Sequence, residues 1–212
     1  LGTGNYEYAH SIGSAANDKV TTLDYRLISS TASTNTIELA LSGAFSGTTD
    51  FDPGAGSVSQ TATAGEDGFT VKYTRVYNFN TGVNVSYTCN WAQKVGGTNN
   101  DITNDLAFDG SGNVYYTASI ATGASTFAPV IGEYSSTGTI QSFGGAFNPM
   151  SATDNHGKTI TVSTSGDVYS AGYFTNATID LNPAGAANIF NLTAFSTGQN
   201  RKSTKSTKNG AV

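Results

Sequence analysis

The sequence predicts an all-β fold of antiparallel, four-stranded, blade-like units, about three of them, with a β-sandwich as the alternative architecture. Three observations predict it. Only 12% of the 212 residues are charged, while Gly, Ser, Thr, Asn and Ala fill the chain and apolar residues come in short bursts, a composition of many short strands and tight turns. Branched and aromatic runs flank small-residue clusters, as in "DLAFDGSGNVYYTAS", where glycines supply the positive φ of hairpin turns. The chain also repeats itself.

The first repeat shows when "YAHSIGSAANDKVTTLDY" (8–25) is laid without a gap over "WAQKVGGTNNDITNDLAF" (91–108), pairing Tyr8 with Trp91, Gly13 with Gly96, Asp18 with Asp101 and Leu23 with Leu106. A third copy follows when "LAFDGSGNVYYTAS" (106–119) is laid over "ITVSTSGDVYSAGY" (160–173). "DFDPG" from Asp50, "TFAPV" from Thr126 and "DLNPA" from Asp180 occupy one structural position, so Pro53, Pro129 and Pro183 mark the same turn. The first unit is longer, with extra residues expected within 26–36 and 75–88. After the Pro landmark, "GFTVKY" (68–73) and "VIGEY" (130–134) read as third strands, and "VSYTCNWAQKVG" (85–96) as an outer strand. Four strands per unit predict blades of a partial β-propeller. In "NDKVTTLDYRLISS" the stripe Val20, Leu23, Leu27, Ile28 also fits a helix, but its alignment with a hairpin-forming stretch makes strand the expectation. The domain is expected over 1–195, with units at roughly 5–87, 88–140 and 141–195, followed by a basic, flexible tail over 196–212.

These motifs resemble the β-propeller repeat of bacterial surface proteins, the SBBP repeat. The resemblance is carried by Trp91 to Gly97, Asn100-Asp101, Leu106 to Tyr115, Gly43 to Phe45, Asp50 to Gly54 and Phe69 to Tyr73, and spans roughly 5–195 as slightly under three units. It departs where Thr126 and Ala128 replace both aspartates of D-F-D-P-G, where Asn182 and Ala184 stand in the third unit, and where Phe143 is the best third opening aromatic. The resemblance implies a secreted or surface-anchored protein with a binding, adhesion or assembly role, and it carries no catalytic residues with it.

Candidate sites are few. Asp50 and Asp52 point the same way in an extended run and could offer oxygens to Ca²⁺, as could Asp180, but two carboxylates fall short of the six to eight oxygens that the ion takes. The aromatic or aliphatic residue and the Pro persist across copies while the carboxylates do not, so a structural turn is the preferred reading, and no cofactor is required. Asp18, Asp101 and Asp154 precede strands at one end of the units. They are candidate ligand-binding residues, with turn capping the preferred account. Tyr8 and Trp91 could stack on sugar rings, although a repeated position favours packing. His10 and His156 are the only histidines; His10 aligns with Gln93, and His156 sits in a polar loop.

The formal charge is −5, yet Arg201, Lys202, Lys205 and Lys208 crowd the C-terminal end, leaving an acidic body that repels phosphate backbones and argues against nucleic acid. No apolar run reaches the ~20 residues of a membrane span. Cys89 is the only cysteine, so no intrachain disulfide forms. The expected function is a non-catalytic, extracellular or cell-surface module that binds a glycan, protein or matrix partner. A structural subunit of an extracellular assembly is the alternative, and a polysaccharide-active enzyme the third reading. Because so few blades leave apolar faces uncovered, further blades of a longer chain or another protomer are expected to cover them.

Overall fold

The computed structural model describes residues 9–141 and 154–175 in full, and 178–180, 191–193 and 200–206 as backbone. All regular structure among the described residues is β. A four-stranded antiparallel meander holds β1 (Lys19–Ser30), β2 (Thr34–Asp50), β3 (Ser59–Asn78) and β4 (Val83–Val95). A three-stranded meander follows, of β5 (Ile102–Phe108), β6 (Val114–Gly123) and β7 (Thr126–Tyr134). The third sheet orders β12 (Asn200–Ser206), β9 (Val168–Phe174) and β8 (His156–Val162), and β10 (Thr178–Asp180) pairs with β11 (Asn191–Thr193).

The sheets stack in series, as blades do, rather than as the two facing layers of a sandwich. Ala40, Trp91 and Val95 of the first sheet pack on Leu106, Val114, Tyr116, Ala118 and Tyr134 of the second. The opposite face of the second sheet gives Tyr115 and Ile131 to a cluster with Ile160, Val168 and Phe174 of the third. The run Val114 to Ser119 is therefore buried on both faces, so it lacks the apolar-in, polar-out alternation of a half-exposed strand, and its buried hydroxyls on Thr117 and Ser119 are hydrogen-bonded. A third cluster, Phe45, Phe51, Phe69, Val71 and Tyr73, lies on the far face of the first sheet, where Ile12 and Val58 fold over it.

The tight turns repeat closely. In Asp109–Asn113, Ser135–Thr139 and Ser163–Asp167 the first N–H bonds the fifth carbonyl, and the fourth residue, Gly112, Gly138 or Gly166, donates back to the first carbonyl. Each of these glycines has φ near +85° (85°, 84° and 85°), a region other residues enter at a cost.

Several boundaries differ from expectation. The unit boundary at 87/88 falls inside β4, because Trp91 and Ala92 pair back onto Lys72 and Val71; the opening motif of the second sequence unit is the outer strand of the first sheet. The stretch over 19–30 is strand, paired with β2 from Lys19 to Ser30, so the helical stripe is not used. The extra residues lengthen all four strands of the first sheet together, with Thr36 between Ser29 and Val76, and Val76 next to Ser86. The tail is the clearest correction: Asn200–Ser206 pairs with β9 from Phe174 to Val168. Pairing needs backbone groups and an open edge rather than apolar side chains, and a Lys-bearing strand is a usual way to end a sheet.

Candidate functional site

The loops ahead of β1, β5 and β8 are organised by one side-chain device. Asp18 Oδ2 accepts the N–H of Ser14 (2.5 Å) and its Oδ1 that of Ser46 (3.3 Å). Asp101 does the same with Gly97 (2.6 Å) and Ala121 (2.7 Å). In the third sheet the role falls to Asn155, whose Oδ1 accepts the N–H of Thr175 (3.2 Å), and not to Asp154, which is 45% exposed. Extending the alignment of 106–119 with 160–173 backwards puts Asn155 under Asp101; a search for a carboxylate alone selects its neighbour. These residues tie a loop to the end of the second strand of each sheet and act as caps. Gly96 has φ +120°, and a Cβ there would run into the Asp101 carboxylate. Burial raises the Asp101 carboxyl above its ordinary range, against the lowering by the two N–H donors. Asp101→Ala leaves both donors without their acceptor and is expected to cost about 1–3 kcal/mol, read as a shift in urea midpoint.

The run 50–58 is a turn built from its own carboxylates. Asp50 Oδ1 accepts the N–H of Asp52 (3.0 Å) and Val58 (2.9 Å), and Asp52 Oδ1 that of Gly54 (2.8 Å). The N–H of Asp52, then that of Val58, holds the Asp50 carboxyl below the usual carboxylate range. The turn delivers Phe51, 1% exposed, between Phe45 and Phe69 (centroids 5.5 and 4.9 Å), and Tyr73 Oη bonds its carbonyl at 2.8 Å. Carboxylates directed at backbone donors suit a turn better than Ca²⁺, and among the described residues no three His, Cys, Asp or Glu side chains gather as metal ligands. Asp180 ends β10, where only the backbone is described, and Tyr8 and Phe143 lie outside the described residues.

Trp91 is core. It is 7% exposed, 5.6 Å from the Tyr134 ring, and its Nε1 donates to Ser136 O at 3.3 Å. Beside it runs an ion network that sequence reasoning missed. Lys72, with its side chain 2% exposed, reaches Glu38 Oε1 at 2.7 Å, and Arg26 Nε reaches Glu38 Oε2 at 2.6 Å. Lys72 Nζ also bonds Ser136 O (3.0 Å) and Gly112 O (3.3 Å), and Arg26 bonds Gly110 O (2.8 Å), so the network fastens the turns of the second sheet to the first. No sequence signal marks it except two cations and a carboxylate on adjacent strands.

The two stacked interfaces share a bracket. β1, β5 and β8 each carry a bulge, at Val20/Thr22, Thr103/Asp105 and Gly157/Thr159. The bulged Thr21 donates from Oγ1 to Thr103 O (2.7 Å), and the bulged Asn104 donates from Nδ2 to Gly157 O (2.7 Å). Asp24 Oδ2 accepts the N–H of Phe108 and Asp105 Oδ2 that of Ile160, both at 2.9 Å. One relation between neighbouring sheets is thus used twice.

His156 opens β8 rather than sitting in a surface loop. Its Nε2 lies 2.5 Å from Asp154 Oδ1 and its Nδ1 2.7 Å from Ser119 Oγ. The residue types are those of a hydrolytic triad, but Ser119 is fully buried and a carbonyl substrate has no approach to its hydroxyl. His10 lies apart from this group, its ring tilted against Tyr87 of the first sheet with centroids 4.7 Å apart.

No curated protein matches the chain. The sequence from 90 to 121, which runs from the end of β4 through β5 into β6, matches the family model described as SBBP, beta-propeller repeat. Over that stretch the chain is similar to SBBP β-propeller repeats, in agreement with the stacked antiparallel sheets and the twice-used bracket.

Proposed function

We propose that the chain is a non-catalytic propeller-type module of a secreted or cell-surface protein, acting by association through the open face of its first sheet. One observation carries this. Leu23, Tyr25 and Leu27 of β1 are 54%, 64% and 57% exposed and align across the sheet with Leu41, Leu39 and Ile37, which makes a continuous apolar face on the side away from the second sheet. Such faces on soluble proteins are interaction sites.

The occupant that fits is a further sheet of the same repeat type. Val20, just before the β1 bulge, is the counterpart of Thr103 and Gly157, whose carbonyls receive the bulged residue of the preceding sheet. A neighbouring sheet with a polar bulge residue would repeat the bracket there and cover the leucines. A glycan fits less well, since sugars want exposed aromatic platforms flanked by hydrogen-bonding groups, whereas the exposed patch on β1 offers Tyr25 among leucines and the Phe69 and Tyr73 rings of the same face are buried. The same face supports the second reading, a structural subunit of an extracellular assembly. A glycan array with light scattering on the purified chain tests the proposal: association without glycan binding supports it, whereas glycan binding by a monomer, or turnover of a polysaccharide, overturns it.

A further inference from the structure

We propose that Asp154, His156 and Ser119 form a pH-operated latch between the second and third sheets, shut while the imidazole is neutral and released when it takes up a proton. Asn104 Nδ2 donates to Ser119 Oγ (2.7 Å) and to Gly157 O (2.7 Å), which uses both amide hydrogens. Ser119 is buried and already receives that donor, so its own hydrogen goes to His156 Nδ1, and the Nε2 hydrogen goes to Asp154 Oδ1. This chain selects one tautomer of the neutral ring. Phe127 and Tyr173 flank the imidazole at 4.6 and 5.0 Å, and its side chain is 11% exposed.

The latch holds backbone as well. Asn155 N–H bonds Phe127 O (3.3 Å), Asp154 bridges Phe127 in parallel, and Thr175 Oγ1 bonds Asp154 O (3.1 Å). It therefore joins the starts of β7 and β8 to the end of β9. A proton on Nδ1 would make the Ser119 oxygen accept from both Asn104 and the ring, and the Ser119 hydrogen would lose Nδ1 as its acceptor in a buried place, a costly arrangement.

The groups around the ring act in both directions. Asp154 favours the cation from a half-exposed position, and the ring faces do so weakly. Lys158 on β8, seated 5.4 Å over Tyr173, opposes it. From β5, Asp105 is engaged by Thr159 and Ile160, while β6, β7 and β9 bring the neutral Ser119, Phe127 and Tyr173. Burial is the largest influence and holds the imidazole below its ordinary range. A lowered folded pKa means that the contribution is complete above the unfolded value of about 6.5 and is lost as pH falls below it.

The test follows the His156 ring signals and the exchange protection of the Asn155, Ile160 and Thr175 amides, corrected for intrinsic rates, on the intact chain from about pH 8 to about pH 5. Protection should fall severalfold as the ring titrates in the wild type and in His10→Asn, and stay level in His156→Gln. A ring that titrates above the ordinary histidine range, protection unchanged while it titrates, or the same fall in His156→Gln would overturn the latch. The wild-type titration decides the matter if His156→Gln does not fold.

Discussion

Glu38→Ala should lower the stability of the chain by about 3–5 kcal/mol, the usual result of removing one partner from a buried ion pair. The cause is Lys72. Its side chain is 2% exposed and its ammonium sits between the first two sheets with Glu38 Oε1 at 2.7 Å; without the carboxylate it keeps only the carbonyls of Ser136 and Gly112 and the face of Phe108 at 5.9 Å. Those dipoles do not neutralise a full charge. Lys72→Met should cost less, because the charge leaves with the side chain and Glu38 retains Arg26 at 2.6 Å. Urea midpoints at constant slope measure both. A loss below about 1 kcal/mol in Glu38→Ala would class the pair with solvent-screened surface pairs.

Trp91→Ala should cost about 3–5 kcal/mol, as large aromatic truncations in cores do. Trp91 lies at the end of the first sheet's outer strand and fills the space before Tyr134 and Gly138; a Cβ on Gly138 would already meet the indole. The site cannot collapse easily, because Val95, Leu106 and Tyr116 around it are held by two different sheets. Trp91→Phe should recover much of the loss but leave Ser136 O without the indole N–H. Thermal unfolding followed by near-ultraviolet dichroism reads both. Equal stability of Trp91→Ala and wild type would place Trp91 on a surface.

Much of this fold could be read from the chain. "DGSGN" and "STSGD" announce their turns because only glycine takes φ near +85° without cost, and the persistence of Phe51 and Pro53 over the carboxylates of 50–54 identified a packing turn. Trp91 was legible as core from its repeated position. Other features depend on contacts between strands that sequence order does not expose. The repeat in the sequence starts at Trp91, whereas the sheet ends near it, since pairing of Trp91 with Lys72 is decided by register. Arg26, Glu38 and Lys72 look like three ordinary surface charges until β1, β2 and β3 are laid side by side. Asn155 was missed because an amide can do a carboxylate's capping work, and β12 because strand pairing needs backbone groups and an open edge rather than an apolar pattern. The bracket residues Thr21 and Asn104 were already aligned in the sequence, but a bulge is visible only in the pairing.

The interface between sheets that is used twice within the chain should be presented a third time on the open face of β1. Light scattering across a concentration series, on the wild type and on the double variant Leu23→Asp/Leu27→Asp, tests it most directly. Both leucines are more than half exposed, so the charges should leave the fold intact while making the face unfit to bury against another sheet. The wild type should associate with rising concentration, a second copy supplying the neighbouring sheet, and the variant should remain monomeric with unchanged circular dichroism. A wild type that stays monomeric throughout, or a variant that associates as strongly as the wild type, would contradict it.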